Sequence, residues 1–508
     1  MAFVSGLASR QLIGLVLGPL VFLAYLTVMP VEMPRDAAMV FAGTLWIAIW
    51  WVSEAIPISA TALSPIVLFP MTGVVSVRDA TLPYADPIVF LLLGGFMLAL
   101  AVERWNLHER LALVVMRMVG TSARRLILGF MVATGGLSMW ISNTATAMMM
   151  VPIGAAVIVQ YSVMTPRLPD PFPDHEDAEI PLEERIVHSV ERVTQDLPSS
   201  NFGLAVMLGI AYGASIGGAA TLIGSPPNAI LAGVAESALG IQIGFARWMM
   251  FALPVSAVFL LGAWAFLVTV LPPEVEAIDH GTVVEDRLSS LGKMSTGEKR
   301  TLLVFGIVVA GWISRPFLIE PLIPSMTDSV IAIIGAILLF LIPVDRKDGT
   351  FLLDWESTAR LPWGVLLLLG AGFSIANAFQ ESGLDQWIAQ LVAAMDIIAL
   401  PIIILVIATL IVFLTEVNSN TATASVFIPI MIGVSAALGI SPLTLMAVTA
   451  LAASYAFMLP VATPPNAIVF GSGYMTVPEM AKVGFWLNLA GVVIVTGATY
   501  LWLPFVFG

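Results

Sequence analysis

The chain is 508 residues long, 59% hydrophobic and 11% charged, with a formal net charge of −13, no cysteine and a mean hydropathy of +0.97. Soluble domains carry about 25% charged residues, so this composition excludes an ordinary water-soluble domain and points to an all-α polytopic membrane protein. The lack of cysteine excludes a disulfide framework.

The first apolar segment, residues 11–30, follows a short polar lead holding Arg10 and has no small-residue cleavage site, so it reads as a retained span and not a signal peptide. Residues 37–53 form the next, and the following stretch WWVSEAIP puts Glu54 at membrane depth, where a carboxylate is a functional candidate by default. The glycine pairs Gly94–Gly95 and Gly217–Gly218 are expected to allow close helix packing. Arg104, Arg110, Arg117, Arg124 and Arg125 then gather ahead of a different kind of segment. Residues 126–159 are apolar at both ends but carry Ser138, Ser142, Asn143, Thr144 and Thr146 in the middle, the last four within SNTATA at 142–147. Each half is too short to span, and the whole reads as a re-entrant hairpin with its tip near mid-membrane. Irregular backbone at that depth is tolerated only when it is buried in protein or lines a cavity.

Residues 165–200 hold nine acidic side chains against three arginines and read as a solvated insert. The apolar run 202–240 is then interrupted by SPPNAI at 225–230. Two successive prolines remove two backbone donors and break the helix, leaving freed carbonyls at its centre. Spans follow at 249–271, 301–313, 329–342 and 362–375, separated by a second polar segment at 272–299 and by the basic groups Lys293, Lys299, Arg300 and Arg346, Lys347, Arg360.

Residues 400–436 repeat the hairpin design, with Thr415, Glu416, Asn418, Ser419, Asn420, Thr421 and Thr423 in the middle and SNTATA again at 419–424. TPPNAI at 463–468 interrupts the run 442–473, and a last span covers 483–506. The order, hairpin and then broken helix, is the same in both halves, and the extra spacing in the first half is about the size of the acidic insert.

Lys and Arg favour the cytoplasmic side. Placing the three basic groups there, together with Lys482, the single basic residue after Arg360, puts the N-terminus inside and the C-terminus outside. This path has about 11 transmembrane helices plus two re-entrant hairpins that enter from opposite sides. Inverted repeats with helices broken at matching positions point to a secondary transporter whose site lies where the two halves meet.

The residue types fit that reading. A lone Ser or Thr in a membrane helix usually bonds back to its own backbone, but here Ser, Asn and Thr cluster twice, each time beside a broken helix. Their oxygens suit a hard cation, and their hydroxyl, amide and half-helix N–H donors suit carboxylates. Neither hairpin contains Lys, Arg or His, so an anionic substrate would need bound cations to balance it. Glu416 is open to proton or cation binding or to a structural role. His108, His175, His188 and His280 lie in or beside polar segments and form no metal cluster, and there is no phosphate loop, nucleophile elbow or zinc motif. The chain therefore does not read as an enzyme, an ATP-driven pump or a nucleic-acid binder. An anion channel with re-entrant filter loops is the reading from another class, and a membrane-embedded hydrolase would lack a base in the hairpins.

At this point the sequence resembles the divalent anion/sodium symporter family, through SMWISNTATA (138–147), LTEVNSNTATA (414–424), GSPPNAI (224–230) and ATPPNAIVFGS (462–472). The resemblance implies a homodimer of elevator-type transporters in the inner cell membrane, surrounded by membrane lipid, that couple sodium to C4-dicarboxylates such as succinate, malate or fumarate. It implies one sodium at Ser138, Ser142, Asn143 and Gly224, and another at Thr415, Asn418 through its carbonyl, Asn420 and Ala462. The substrate would lie between Ser142, Asn143, Thr144 and Ser419, Asn420, Thr421, closed by Ser225, Thr463 and Pro464. Sodium-independent exchange, or citrate or sulfate as substrate, are the alternatives within the family. The expected division is scaffold at 1–104 and 241–375, transport domain at 105–240 (insert 165–200) and 376–475, and a last helix in 476–508.

Overall fold

A computed structural model describes residues 9–28, 33–120, 122–164, 200–274, 281–345, 347–393 and 399–508. Residues 165–199, nearly all of the acidic insert, lie outside the described residues, as do His175, His188, His280 and Arg346. Among the described residues the chain is almost wholly helical, with one two-stranded antiparallel ribbon, Pro343–Asp345 against Thr350–Phe351. Among the described residues ten helices are long and apolar enough to cross a membrane, the returning arms of the two hairpins among them, beside four shorter apolar segments, where about eleven spans besides the hairpins were expected.

Both hairpins are present. The first has arms Ala123–Ser138 and Asn143–Met164, and the second Leu400–Thr415 and Asn420–Leu438. The entering arms are 16 residues each, short of a span, whereas the returning arms, 22 and 19 residues, are longer than the expected half-spans. Each returning arm carries a proline at the same place in its repeat, Pro152 and Pro429.

The broken helices are Asn201–Gly218 with Pro226–Leu239, and Pro442–Ala453 with Pro464–Gly471. In both, the prolines occupy the first turn of the second half-helix, where their missing N–H costs nothing. The helix ends before the motif, and PP starts the next one.

The charged ends establish direction. Arg104 pairs with Asp354, Arg110 with Glu298 at 2.6 Å, and Arg300 donates to the Pro343 carbonyl, so basic residues from the first two groups lie at one end of the bundle, against the segment 343–354 that leads to Arg360. The helix Leu107–Val119, which leaves that end, packs on the first hairpin, with Met116 against Gly129. The helix Trp363–Ser382 starts at Arg360 and runs to the opposite end. There the second hairpin lies on the next turn, so closely that a Cβ on Gly433 would sit 2.6 Å from the Asp385 carbonyl oxygen. The two hairpins therefore enter from opposite ends, as the repeat implied.

Glycine permits close backbone contacts in the first half. A Cβ on Gly217 would lie 2.2 Å from the Gly135 carbonyl oxygen, and one on Gly94 would lie 2.7 Å from the Ala332 backbone. These two positions bear out the packing role expected of them. Gly218 faces the site instead.

Candidate functional site

The tips of the hairpins are built alike. Ser138 ends the first entering arm, and its hydroxyl lies 2.5 Å from Asn143 Oδ1 and 2.8 Å from the Ala214 carbonyl oxygen. Thr415 ends the second, with its hydroxyl 2.6 Å from Asn420 Oδ1 and 3.2 Å from the Ala453 carbonyl oxygen. In each triad three oxygens converge on one hydroxyl proton, so at least one acceptor is left over for another partner. Ser138 and Thr415 are fully buried, which makes an unfilled acceptor there costly.

The first triad opens onto more oxygens. A Cβ on Gly218 would meet Asn143 Oδ1 at 2.4 Å and the Gly224 carbonyl oxygen at 2.9 Å. A Cβ on Gly224 would meet the carbonyl oxygens of Gly218 at 2.5 Å and Ser138 at 2.9 Å. Neutral oxygens from a hairpin tip and a helix break thus crowd a space that only glycine leaves open. That donor set, without thiolate or imidazole, fits a hard monovalent cation.

The carbonyls freed at the breaks are not all available. The amide of Asn228 donates to Ala219 and Thr221 at 3.0 and 2.8 Å and more weakly to Gly218. Asn466 donates to Ala456 and Leu459, both at 3.0 Å. The Asn of each PPNAI therefore ties off its own break, a role the repeated motif signalled without revealing. Thr221 links the break to the hairpin, donating to the Met139 carbonyl and accepting from the Gly224 N–H.

Glu416 does the corresponding work in the second half. Its carboxylate accepts from the N–H groups of Phe457, Met458 and Leu459 at 2.7, 2.9 and 3.0 Å and from Asn488 Nδ2 at 2.6 Å. It is 3% exposed and joins the second tip to the second break, so the structure supports the structural role of the two considered. Glu54 is paired with Arg10 at 2.7 Å, and it caps the helix Arg35–Ser53 in a left-handed conformation. The side chain of Asn418 accepts from Ser419 N–H at 2.9 Å and donates to Thr423 at 3.3 Å, so it serves the turn itself.

A single cavity of about 760 Å³ gathers the motifs. Its walls include Ser142, Asn143, Thr144, Gly224, Ser225, Ser419, Asn420, Thr421, Ala462, Thr463 and Pro464. Ser138, Thr415 and Asn418 stand behind these walls. Ser225 and Ser454 bridge the two breaks with their hydroxyl oxygens 2.8 Å apart, and Thr463 accepts from the Asn466 N–H at 3.2 Å. Four helices begin at the cavity, two after SNT and two at PP. All four direct positive dipole ends at it, but only the SNT helices keep their first N–H groups, at Asn143, Thr144, Asn420 and Thr421. The hairpins thus supply backbone donors for an anion, while the two prolines that lead each broken half-helix supply none.

The opposite wall comes from Ile58, Phe96, Ala99, Leu100, Glu103 and Val365, with Glu54 and Arg360 also lining the cavity. Motif reading missed this wall, because apolar wall residues carry no spacing signal and Arg360 stood out only as a marker of topology.

A sequence model described as the sodium:sulfate symporter transmembrane region matches residues 10–508. The chain is 42% identical to the sodium-dependent dicarboxylate transporter SdcS of Staphylococcus saprophyticus over 504 residues, 98% of this chain and 92% of that protein. It is also 42% identical to SdcS of Staphylococcus aureus strain USA300 over 508 residues, 99% and 93% of the two chains. Among solved structures it resembles the YdaH transporter of Alcanivorax borkumensis, described as having an unusual topology, with a TM-score of 0.57 at 15% identity over 92% of this chain and 99% of that one.

Proposed function

The chain belongs to the sodium:sulfate symporter family, the divalent anion/sodium symporters, and on that premise we propose that it is a sodium-coupled symporter of C4-dicarboxylates. It is a membrane transporter and not an enzyme. The observation that carries the substrate reading is the convergence of both SNT tips and both proline-led breaks on one cavity with oxygen triads behind it. A dianion needs donors and compensating charge. The donors are the four SNT amides and their hydroxyl and amide side chains, and the charge comes from sodium held by the triads.

In this reading one sodium is bound by Ser138, Ser142, Asn143 and Gly224 and the other by Thr415, Asn418, Asn420 and Ala462. The substrate contacts Ser142, Asn143, Thr144, Ser225, Ser419, Asn420, Thr421, Thr463 and Pro464. The cavity meets only the last turns of the helix Pro87–Arg104 and the first turn of Trp363–Ser382, so it opens at the end that carries Arg104 and Arg360. With basic residues facing the cytoplasm, this is an inward-facing state of a protein in the cell membrane. The contrast between a motif-bearing wall and a wall without the motifs supports elevator movement of the first against the second, and the family reading adds a homodimer.

The test is uptake of labelled succinate, malate, fumarate, citrate and sulfate by reconstituted protein, with sodium replaced by choline in a parallel arm. Saturable, sodium-dependent uptake of the C4 acids is expected. Uptake indifferent to sodium would overturn the coupling.

A further inference from the structure

We propose that Arg360 captures the substrate's carboxylate at the mouth of the cavity and sets the transporter's affinity for the dianion on that one side of the membrane. The inference rests on the dicarboxylate reading above and adds a residue outside both motifs.

Arg104, Arg110, Arg300 and Arg360 lie at this end, and the first three are committed, Arg300 to the Pro343 carbonyl. Arg104 is bound to Asp354, and Arg110 to Glu298 and to the carbonyls of Leu291 and Gly292. Arg360 is exposed, lines the cavity, and makes no hydrogen bond or ion pair with another described residue. Its backbone is nonetheless held firmly. Asp354 caps the turn through Ser357 N–H and hydroxyl at 2.8 and 2.7 Å, Leu361 N–H donates to Thr358 at 3.1 Å, and the indole of Trp363 donates to the same carbonyl at 3.1 Å. A fixed turn thus presents the guanidinium to the cavity, close enough to Glu103 to feel its charge but beyond ion-pair distance.

The charges around it make the sign important. Three charged side chains line the cavity: Glu54, Glu103 and Arg360. Glu54 is neutralised by Arg10. Glu103 has no such partner within ion-pair distance, so Arg360 is what keeps the mouth from presenting a net negative charge to a dianion. A unit charge at contact distance changes affinity about fivefold in a water-like dielectric, and more where the walls are apolar. Ala99, Leu100 and Val365 supply such walls. Guanidinium also matches the planar carboxylate in a way a compact ammonium does not. The SNT amides lie deeper, so an incoming or departing dianion passes Arg360 and the site in turn.

The expected behaviour is one-sided. Substrate entering from the opposite face reaches the SNT tips without passing this mouth, so the ratio of the two KM values carries the information. The experiment uses full-length protein in proteoliposomes of defined orientation, with succinate KM measured from each face at fixed sodium and at low and high choline chloride. Arg360→Gln is expected to raise KM on the Arg360 face about three- to tenfold relative to the other face. The gap should close at high salt as screening sets in, and Glu103→Gln should move the ratio in the opposite direction. Arg360→Lys is expected to recover the charge effect in part. An unchanged ratio, or equal changes on both faces that ignore salt, would overturn the proposal. Wild-type protein in the same vesicles keeps the two readings apart: absence of sodium-driven succinate transport there defeats the dicarboxylate reading itself.

Discussion

The hydroxyl of Ser138 and the side-chain oxygen of Asn143 lie 2.5 Å apart across the tip of the first hairpin, with the Ala214 carbonyl 2.8 Å away on the other side. Thr415 and Asn420 reproduce the relationship at 2.6 Å in the second hairpin. In each triad a cation could relieve a surplus of acceptors.

Asn143→Ala and Asn420→Ala should each abolish sodium-driven uptake while leaving expression and size-exclusion behaviour normal. Each amide contributes its oxygen to a triad and its N–H to the cavity. Substantial uptake by either variant would remove the site assignment.

Gly218→Ala should act on sodium first. Its new Cβ would sit 2.4 Å from Asn143 Oδ1, displacing the oxygen proposed as a sodium ligand without removing it. The sodium concentration for half-maximal uptake should rise by about tenfold or more, the equivalent of about 1.4 kcal/mol in ion affinity. Sodium dependence measured at saturating succinate checks this, and an unchanged half-maximum would place the ion elsewhere.

Glu416→Ala should destabilise the protein as well as silence it. The three N–H groups at 457–459 and the Asn488 amide would lose their common acceptor in a buried setting, where an unmade hydrogen bond costs about 1–3 kcal/mol per group. A clear fall in melting temperature in detergent is expected. A variant that melts like wild type but no longer transports would instead give the carboxylate a direct role in binding.

Sodium and substrate should bind with strong mutual dependence, sodium leading. Two carboxylates near mid-membrane meet dipoles and neutral donors, and burying that charge uncompensated costs at least several kcal/mol. Linkage requires each ligand to raise the other's affinity by the same factor. Calorimetric titration of succinate at several sodium concentrations, with choline holding ionic strength constant, measures that factor. A succinate affinity that stays flat would point to charge balance by another route.

Deleting most of residues 165–199 should leave transport largely intact. In the second repeat the returning arm ends at Leu438 and the next helix begins at Pro442, so three residues suffice for the same connection. Loss of uptake in a well-expressed deletion would assign the insert a function.

The amino-acid sequence alone determined the membrane class, the two hairpins, the two broken helices and the order in which they recur. These follow from local chemistry: apolar runs of span length, clustered Ser, Asn and Thr, and prolines that start a helix but cannot continue one. Repetition made the site legible, because two copies of SNT and PPN are improbable unless both serve one place. Only the tertiary structure decided which oxygens meet. Gly218 was read as a packing residue, yet its missing side chain opens the first oxygen cluster, because the fold brings Asn143 from a distant position, and Gly224 from across the break, against it. The task of Glu416 depended on where the backbone at 457–459 folds, and the role proposed for Arg360 on its standing outside any ion pair when Arg104 and Arg110 are in theirs. The bonds inside each tip, Ser138 to Asn143 and Thr415 to Asn420, follow a local spacing of five, but the bonds that join tip to break are settled by distances between segments far apart in the chain, which no local spacing encodes.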